Sequence, residues 1–348
     1  MPPRPSQETA TVPVLRRIDA GSVSALRSQA LWHGIAAAMG PEDPPVLSFC
    51  RPEEPYVCLG YHRRLAELDL DACAARGLPV LRRQIGGGPV YLDADQLFFQ
   101  LTLPARRAPA HIGRLYERML GPAAAALCRL GVPARLAHTN DIVAGGRKIS
   151  GTGAGQIGDG VVVVANVMFA FAHEEMAAIL SVPDQAMRDE CLRLMRAHLG
   201  TLPRLDPDTV TAALTDAYAD ALGATVSDSA LSDAELAAVR DWERRLDDPA
   251  WTAGPPLPAS AGRQVKIRAG VWVYDRRGDG LAVQITVEDG RVVRAAITLA
   301  DAGVDSAVLE RALIGVAAEA GALAARLEEF GDDGVRVRDA LAPGMVVR

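Results

Sequence analysis

Two short stretches concentrate the residues able to act on a ligand. The first is RRQIGGG, residues 82–88; the second is HTNDIVAGGRKISGTGAG, residues 138–155. Gly86, Gly87 and Gly88 carry no side chains, so a ligand can approach their backbone closely, and their amide N–H groups can converge on an anion. If the preceding chain is extended, Arg82 and Arg83 point to opposite faces and one of them faces the site. The spacing is neither a P-loop nor a dinucleotide fingerprint. In the second stretch Asn140 and Asp141 open one arm of a hairpin whose turn is Gly145-Gly146. Arg147 and Lys148 lie on the other arm, which brings Asp141 near Lys148. An aspartate can hold Mg2+, an ion that takes its other ligands from phosphates and water, and a lysine can neutralise an oxyanion or a phosphate. Singly, these features also read as a flexible turn and a solvated hairpin with one salt bridge. Together they describe a site for a polyanion such as a nucleotide with Mg2+. The neighbouring Val90, Leu97, Phe98, Phe99 and Leu101 can wall an apolar channel or simply belong to a core.

The chain has 37 basic residues, of which two are lysine: Lys148 and Lys266. A sequence that uses arginine wherever positive charge suffices keeps lysine where a compact ammonium on a flexible stem is needed. Chance survival is the bland alternative, and it weighs more for Lys266 than for Lys148.

The elements that position these residues follow from periodicity. Residues 21–39 carry a helical stripe through Val23, Leu26, Ala30, Leu31 and Ile35. Residues 45–49 and 56–60 read as short strands, and 68–77 as a short helix stopped by Gly77. A strand leads into the glycine loop, and residues 96–103 continue as buried strand. A helix from Ile112 ends at Gly131. Residues 161–171, VVVVANVMFAF, are β-branched and read as a central strand. The pattern from 173 to 245 is mainly helical. WTAGPPLPASAG, residues 251–262, is a linker by composition. Beyond it three strands, two of them joined at Glu288-Asp289-Gly290, and a helix over 308–327 make a small α+β domain large enough to fold alone.

Length, composition and charge bound the rest. With 348 residues, 49% hydrophobic and 23% charged, two globular domains are expected. The net charge of −6 disfavours nonspecific nucleic-acid binding. No apolar run is long enough to cross a bilayer. The proline-rich start lacks the apolar centre of a signal peptide, so residues 1–14 are expected to form a disordered tail on a cytoplasmic protein. Cys50, Cys58, Cys73, Cys128 and Cys191 are scattered and show no CxxC spacing, which suggests neither a disulfide framework nor a zinc site.

The two motifs, in this order and at this separation, resemble those of the lipoate–protein ligase A family within the biotin/lipoate ligase superfamily. RRQIGGGPVYLD is similar to the family's RRxSGGGxVxHD, and NDIVAGGRKISG to its NDxxxxGrKxSG. VCLGYHRRLAELDL is similar to the segment that precedes the arginine pair, and WTAG followed by a small α+β domain resembles the accessory domain of the longer ligases. The resemblance implies an α+β fold: a mixed β-sheet catalytic domain over residues 15–250, the linker 251–262, and an accessory domain over 263–348. It implies that lipoate and ATP form lipoyl-adenylate, whose acyl group passes to a lysine of a carrier domain such as an E2 or H-protein-like domain. Arg83 and the amides of Gly86, Gly87 and Gly88 would hold the lipoyl carboxyl end and the adenylate phosphate. Val90 would belong to the same site, Asn140 would contact the nucleotide, Asp141 would hold Mg2+, and Lys148 would bridge the acyl carbonyl and the α-phosphate.

The sequence also departs from the family. Ile85 replaces a small polar residue, Leu92 replaces a histidine, the Asn of GN-type segments is missing from ADQLFF, and VVAN ending at Asn166 replaces an HHG-type strand. Two alternatives therefore stay open. An octanoyltransferase would move an acyl group from a carrier protein through a cysteine thioester without ATP, but residues 131–141 hold no cysteine. A non-catalytic protein that binds a lipoyl group or carrier would have no use for Asp141 and Lys148. Biotin ligation fits less well, because its glycine signature differs.

Overall fold

The computed structural model describes residues 12–257 and 262–341. Most of the expected tail (residues 1–11) and residues 258–261 of the expected linker lie outside the described residues. The chain forms, in order, β1 (Val14–Val23), α1 (Ala25–Ala38), β2 (Val46–Pro52), β3 (Tyr56–Leu59), α2 (Leu70–Ala75), β4 (Val80–Arg82), β5 (Val90–Leu92), β6 (Gln96–Pro104), α3 (Ile112–Arg129), β7 (Ala134–Ala137), β8 (Asp141–Ala144), β9 (Arg147–Ser150), β10 (Thr152–Ile157), β11 (Gly160–Met168), α4 (His173–Ala178), α5 (Gln185–His198), α6 (Pro207–Leu222), β12 (Thr225–Asp228), α7 (Asp233–Leu246) and α8 (Pro249–Ala253). After residue 262 come β13 (Arg263–Arg268), β14 (Val271–Gly278), β15 (Leu281–Glu288), β16 (Arg291–Leu299), α9 (Ser306–Leu313), α10 (Ala320–Leu327) and α11 (Gly331–Leu341).

The expected α+β fold with a mixed sheet is observed. Six strands run in the order β10-β11-β6-β2-β1-β12, with β1 parallel to β2 and β12 and the other pairs antiparallel. Strand β6 alternates. Leu97, Phe99, Leu101 and Leu103 enter the core under α3 and α6, while Phe98 and the carboxamides Gln96 and Gln100 face the other way. On that other side α1 packs between β11 and α7. A Cβ on Gly34 would lie 2.5 Å from the Val239 backbone, so a glycine is what lets α1 and α7 meet.

Small sheets carry the two motifs. β3, β4 and β5 form one, and β4 leads into the glycine loop. β7, β8 and β9 form another, in which Gly145 and Gly146 both take positive φ, 56° and 78°, as a two-residue turn between β8 and β9 requires.

Several expectations change. Strand β1 was not foreseen; it claims Gly21, Ser22 and Val23, so α1 starts at Ala25 with Ser24 as its cap. The strand also begins at Val14, inside the expected tail. The run 263–275 is two strands that turn at Ala269-Gly270, giving a four-stranded antiparallel sheet rather than three strands. The helix expected over 308–327 breaks after Leu313, because residues 314–316 hydrogen-bond to β16 instead: Gly315 N–H donates to Val292 O at 2.8 Å, and Val292 N–H to Val316 O at 2.9 Å. Helix α8 occupies the first residues of the expected linker, held by Arg82, which donates to Thr252 O at 2.9 Å and Ala253 O at 3.1 Å.

The C-terminal unit has a core of its own, built on Val283, Ile285, Leu309 and Leu313. Its first two strands also share a core with the N-terminal unit. Val265, Ile267, Val271 and Val273 pack with Val57, Leu59, Leu194 and Met195. Arg263 donates to Glu67 O at 2.9 Å, and Thr286 Oγ1 to Glu190 at 2.7 Å. Among the described residues, no helix is long and apolar enough to cross a membrane.

Candidate functional site

A cavity of about 240 Å3 lies where the glycine loop, the β8–β9 hairpin and β13 meet. Arg83, Gly87, Gly88, Val90, Asn140 and Lys148, all expected at the site, line it. Gly86 and Asp141 stand just outside its wall.

The glycine loop is organised from behind. The Arg83 guanidinium donates to Gly86 O at 2.9 Å, Gly88 O at 2.9 Å and Cys58 O at 2.9 Å. The loop carbonyls therefore turn toward Arg83. The N–H groups of Gly86, Gly87 and Gly88 find no acceptor among the described residues. Arg83 was expected to hold the ligand; here most of its hydrogen-bonding capacity goes to shaping the loop, and the free amides are left to meet an anion. Gly87 sits at φ 103°, and a Cβ there would come 2.5 Å from the guanidinium, which only glycine avoids.

A second pin is His33. It takes the Gln84 N–H on Nε2 at 3.1 Å, while Nδ1 bonds Gln29 O at 2.7 Å. Nδ1 is therefore the protonated nitrogen of a neutral ring. Burial pushes its pKa down to about 3. Its ring stacks on Trp32 and tilts against Trp242, at centroid distances of 3.4 Å and 4.4 Å.

The hairpin supplies the ammonium. Lys148 Nζ lies 2.7 Å from Asp141 Oδ1. The register slips between Ile142 and Val143, so a bulge separates the two residues. The other carboxylate oxygen of Asp141 accepts from the Ala269 N–H of the C-terminal unit at 3.0 Å. Asn140 donates to Thr152 Oγ1 at 3.2 Å. It follows His138 and Thr139, at φ 50° and 80°, which is left-handed backbone that a β-branched threonine rarely accepts.

Asp141 was expected to hold Mg2+. Its carboxylate is 1% exposed and both oxygens are engaged. Among the described residues, no group of three His, Cys, Asp or Glu side chains could hold a metal ion. In this arrangement neither Asp141 oxygen is without a protein partner. The carboxylate instead orients Lys148 and ties β8 to β13.

Several lining residues were not anticipated. Gln29 and Trp32 come from α1, Gln96 and Gln100 from β6, Asn166 from β11, and Ile267 and Arg268 from β13, beside Lys266, for which chance survival weighed more than a role. The alternation QLFFQ was the available signal for the two β6 carboxamides. Leu97, Phe99 and Leu101, weighed as channel wall, belong to the core on the opposite face. Ile85, in place of a small polar residue, packs on β10, where a Cβ at Gly153 or Gly155 would meet it at 2.8 Å or 2.6 Å. Of the five cysteines, Cys58 lines the cavity, and burial holds its thiol above the usual range. Cys128 is exposed on α3, away from it.

A family model of the lipoyl protein ligase A/B catalytic domain matches residues 24–221. An octanoyltransferase of Moorella thermoacetica is 30% identical over 172 residues, 43% of this chain and 62% of that protein. Lipoate-protein ligase A subunit 1 of Thermoplasma acidophilum is 27% identical over 228 residues, 61% of this chain and 86% of that protein. Among solved structures, the bipartite lipoate protein ligase of T. acidophilum, described with its E2 lipoyl domain, superposes with a TM-score of 0.64 at 22% identity, covering 71% of this chain and 98% of that one. A lipoate-protein ligase A bound with ATP superposes at 0.59 and 22% identity, covering 70% and 98%. At these identities the superpositions establish the fold.

Proposed function

Since the chain belongs to the lipoyl protein ligase A/B catalytic-domain family, we propose that it is an ATP-dependent lipoate–protein ligase. In this reading residues 15–250 form the catalytic unit, and the unit from residue 263 is its accessory domain. An acyl carboxylate attacks the α-phosphorus of ATP, the Pα–O–Pβ bond breaks, and pyrophosphate leaves. The amine of a carrier-domain lysine then attacks the acyl carbonyl. The bond from carbonyl carbon to the AMP oxygen breaks, AMP leaves, and the amine proton passes to solvent. The acyl chain lies along Val90, Phe98, Val164 and Met168 of the cavity wall. Each buried methylene contributes about 0.8 kcal/mol, so an eight-carbon chain is held mainly by its length.

One observation carries this reading: the unpaired amides of Gly87 and Gly88 and the Lys148 ammonium border the same cavity. Fixed donors of this kind stabilise negative charge that develops on the acyl and phosphoryl oxygens without reorganising. Asp141 aims Lys148 from 2.7 Å, and enclosure shields the mixed anhydride from water. The ATP-bound relative and the ligase described with an E2 lipoyl domain support the choice of nucleotide and of carrier.

The octanoyltransferase relative keeps a second reading in play, with Cys58 as the thiol. Its raised pKa disfavours the thiolate that a thioester route needs. The test is lipoate-dependent ATP–pyrophosphate exchange. Exchange supports the ligase. No exchange, with octanoyl transfer from acyl carrier protein, replaces it with the transferase.

A further inference from the structure

Both lysines of the chain border the same cavity, although they stand 118 positions apart, the difference between 266 and 148, and come from different units. Their surroundings differ in one decisive way. Lys148 is neutralised by Asp141 at 2.7 Å. Lys266 has no ion pair or hydrogen bond among the described residues. Its ammonium rests 5.2 Å from the centroid of the Trp272 ring, its cross-strand neighbour in the β13–β14 register. The one carboxylate whose charge favours it is Asp141, which already serves Lys148 and the Ala269 N–H. The neighbouring cations are not free in this way. Arg83 is committed to loop carbonyls, and Arg268 lies 3.6 Å from the Asp289 carboxylate, donates to Ala269 O at 2.6 Å and lies 3.1 Å from His138 Nε2.

We propose that Lys266 is a phosphate-binding residue of the site, supplied by the C-terminal unit to the polyphosphate of the nucleotide. This rests on the ligase reading above. The physical case is electrostatic. The Lys148–Asp141 pair carries no net charge, so the uncompensated positive charge that β13 brings to the cavity sits on Lys266. Its pKa is held down, first by burial and then by the charge of Lys148. An anion carrying several charges that enters between the two ammonium groups offsets both effects by its attraction, whereas a neutral acyl chain offsets neither. A side chain kept only to cover apolar surface has no need to be lysine in a chain that otherwise uses arginine.

The test compares wild type, Lys266→Gln, Lys266→Arg and the net-charge control Arg338→Gln, an exposed cation of the same unit. The readouts are ATP–pyrophosphate exchange with lipoate, lipoate affinity by calorimetry, and acyl transfer from synthetic lipoyl-adenylate. Lys266→Gln is expected to raise the KM for ATP at least tenfold, the scale of one lost charge-assisted hydrogen bond. Lipoate affinity and transfer from the preformed adenylate should stay within about threefold. Lys266→Arg should recover part of the loss, and Arg338→Gln should match wild type. A KM for ATP within twofold of wild type in Lys266→Gln overturns the proposal, as does an equal fall in lipoate affinity, which would mark a merely structural lysine. Wild type that shows no exchange with lipoate or octanoate removes the ligase reading and this proposal with it; normal wild-type exchange with an unaffected Lys266→Gln removes the proposal alone.

Discussion

The glycine loop and the β8–β9 hairpin face each other across one cavity and are held in opposite ways. The loop is fixed from within the N-terminal unit by Arg83, by His33 and by uncharged backbone partners. The hairpin is fixed by an ion pair whose carboxylate also reaches the C-terminal unit at Ala269. One wall is thus set by its own domain, and the other depends on a contact made 128 positions along the chain. The free amides of the loop are therefore available however the second unit sits, whereas the aim of Lys148 is conditional on it.

Breaking the hairpin wall should have the largest effect. Lys148→Ala is expected to cut lipoate-dependent exchange by roughly 10^3-fold or more. It also leaves the Asp141 charge buried without its ammonium, so about 3 kcal/mol of stability should go with it. Lys148→Ala combined with Asp141→Asn should regain most of that stability in urea melts and none of the exchange. Exchange close to wild type in either variant would take the lysine out of the chemistry.

Breaking the loop wall comes next. Arg83→Met strips the carbonyls of Cys58, Gly86 and Gly88 of their donor. A loss of about 3 kcal/mol is expected, together with roughly a hundredfold loss of exchange as the amides lose their aim. A variant that melts early but exchanges normally would separate loop geometry from catalysis.

The histidine pin sharpens the contrast through pH. His33 is neutral in the folded chain down to about pH 3, while in the unfolded chain it takes up a proton near its ordinary 6.5. Between those values the unfolded state binds the extra proton, so stability falls as pH drops through the window. From pH 7 to pH 5 this residue alone should cost about 2 kcal/mol. His33→Asn should show a shallower fall in urea melts at the two pH values. Parallel slopes would place the acid sensitivity elsewhere.

The smallest effect is expected at sulfur. Cys58→Ser, Cys128→Ser and Cys191→Ser should each keep exchange within about threefold, allowing for one altered hydrogen bond. Loss of acyl transfer in Cys58→Ser alone, with an unchanged melting temperature, would revive the thioester route.

What the sequence disclosed about the two walls follows the same division. The hairpin was legible because Gly145-Gly146 and the residues around it are contiguous, and so was the glycine run. The partners of each wall were not. Arg83 bonds main-chain oxygens, which no side-chain type betrays. Asp141 looked like a metal ligand because its second partner is a backbone amide beyond a linker. Strand β1, VLRRIDAGSV, was hidden because its apolar residues are spaced by paired arginines and a glycine, and its parallel partners come from distant segments. The turn at Ala269-Gly270 is too short to register as a boundary by composition, yet it places Lys266 beside the cavity and Ala269 on Asp141.

The aromatic stack behind the loop makes the molecule its own optical instrument. The chain has four tryptophans. Trp32 lines the cavity, Trp242 and Trp251 stand 5.8 Å apart behind it, and Trp272 lies under Lys266. With excitation selective for tryptophan, ultraviolet emission from the unlabelled protein should register filling of the chamber at Trp32 and arrival of charge at Trp272, and single Trp→Phe replacements would tell the two apart.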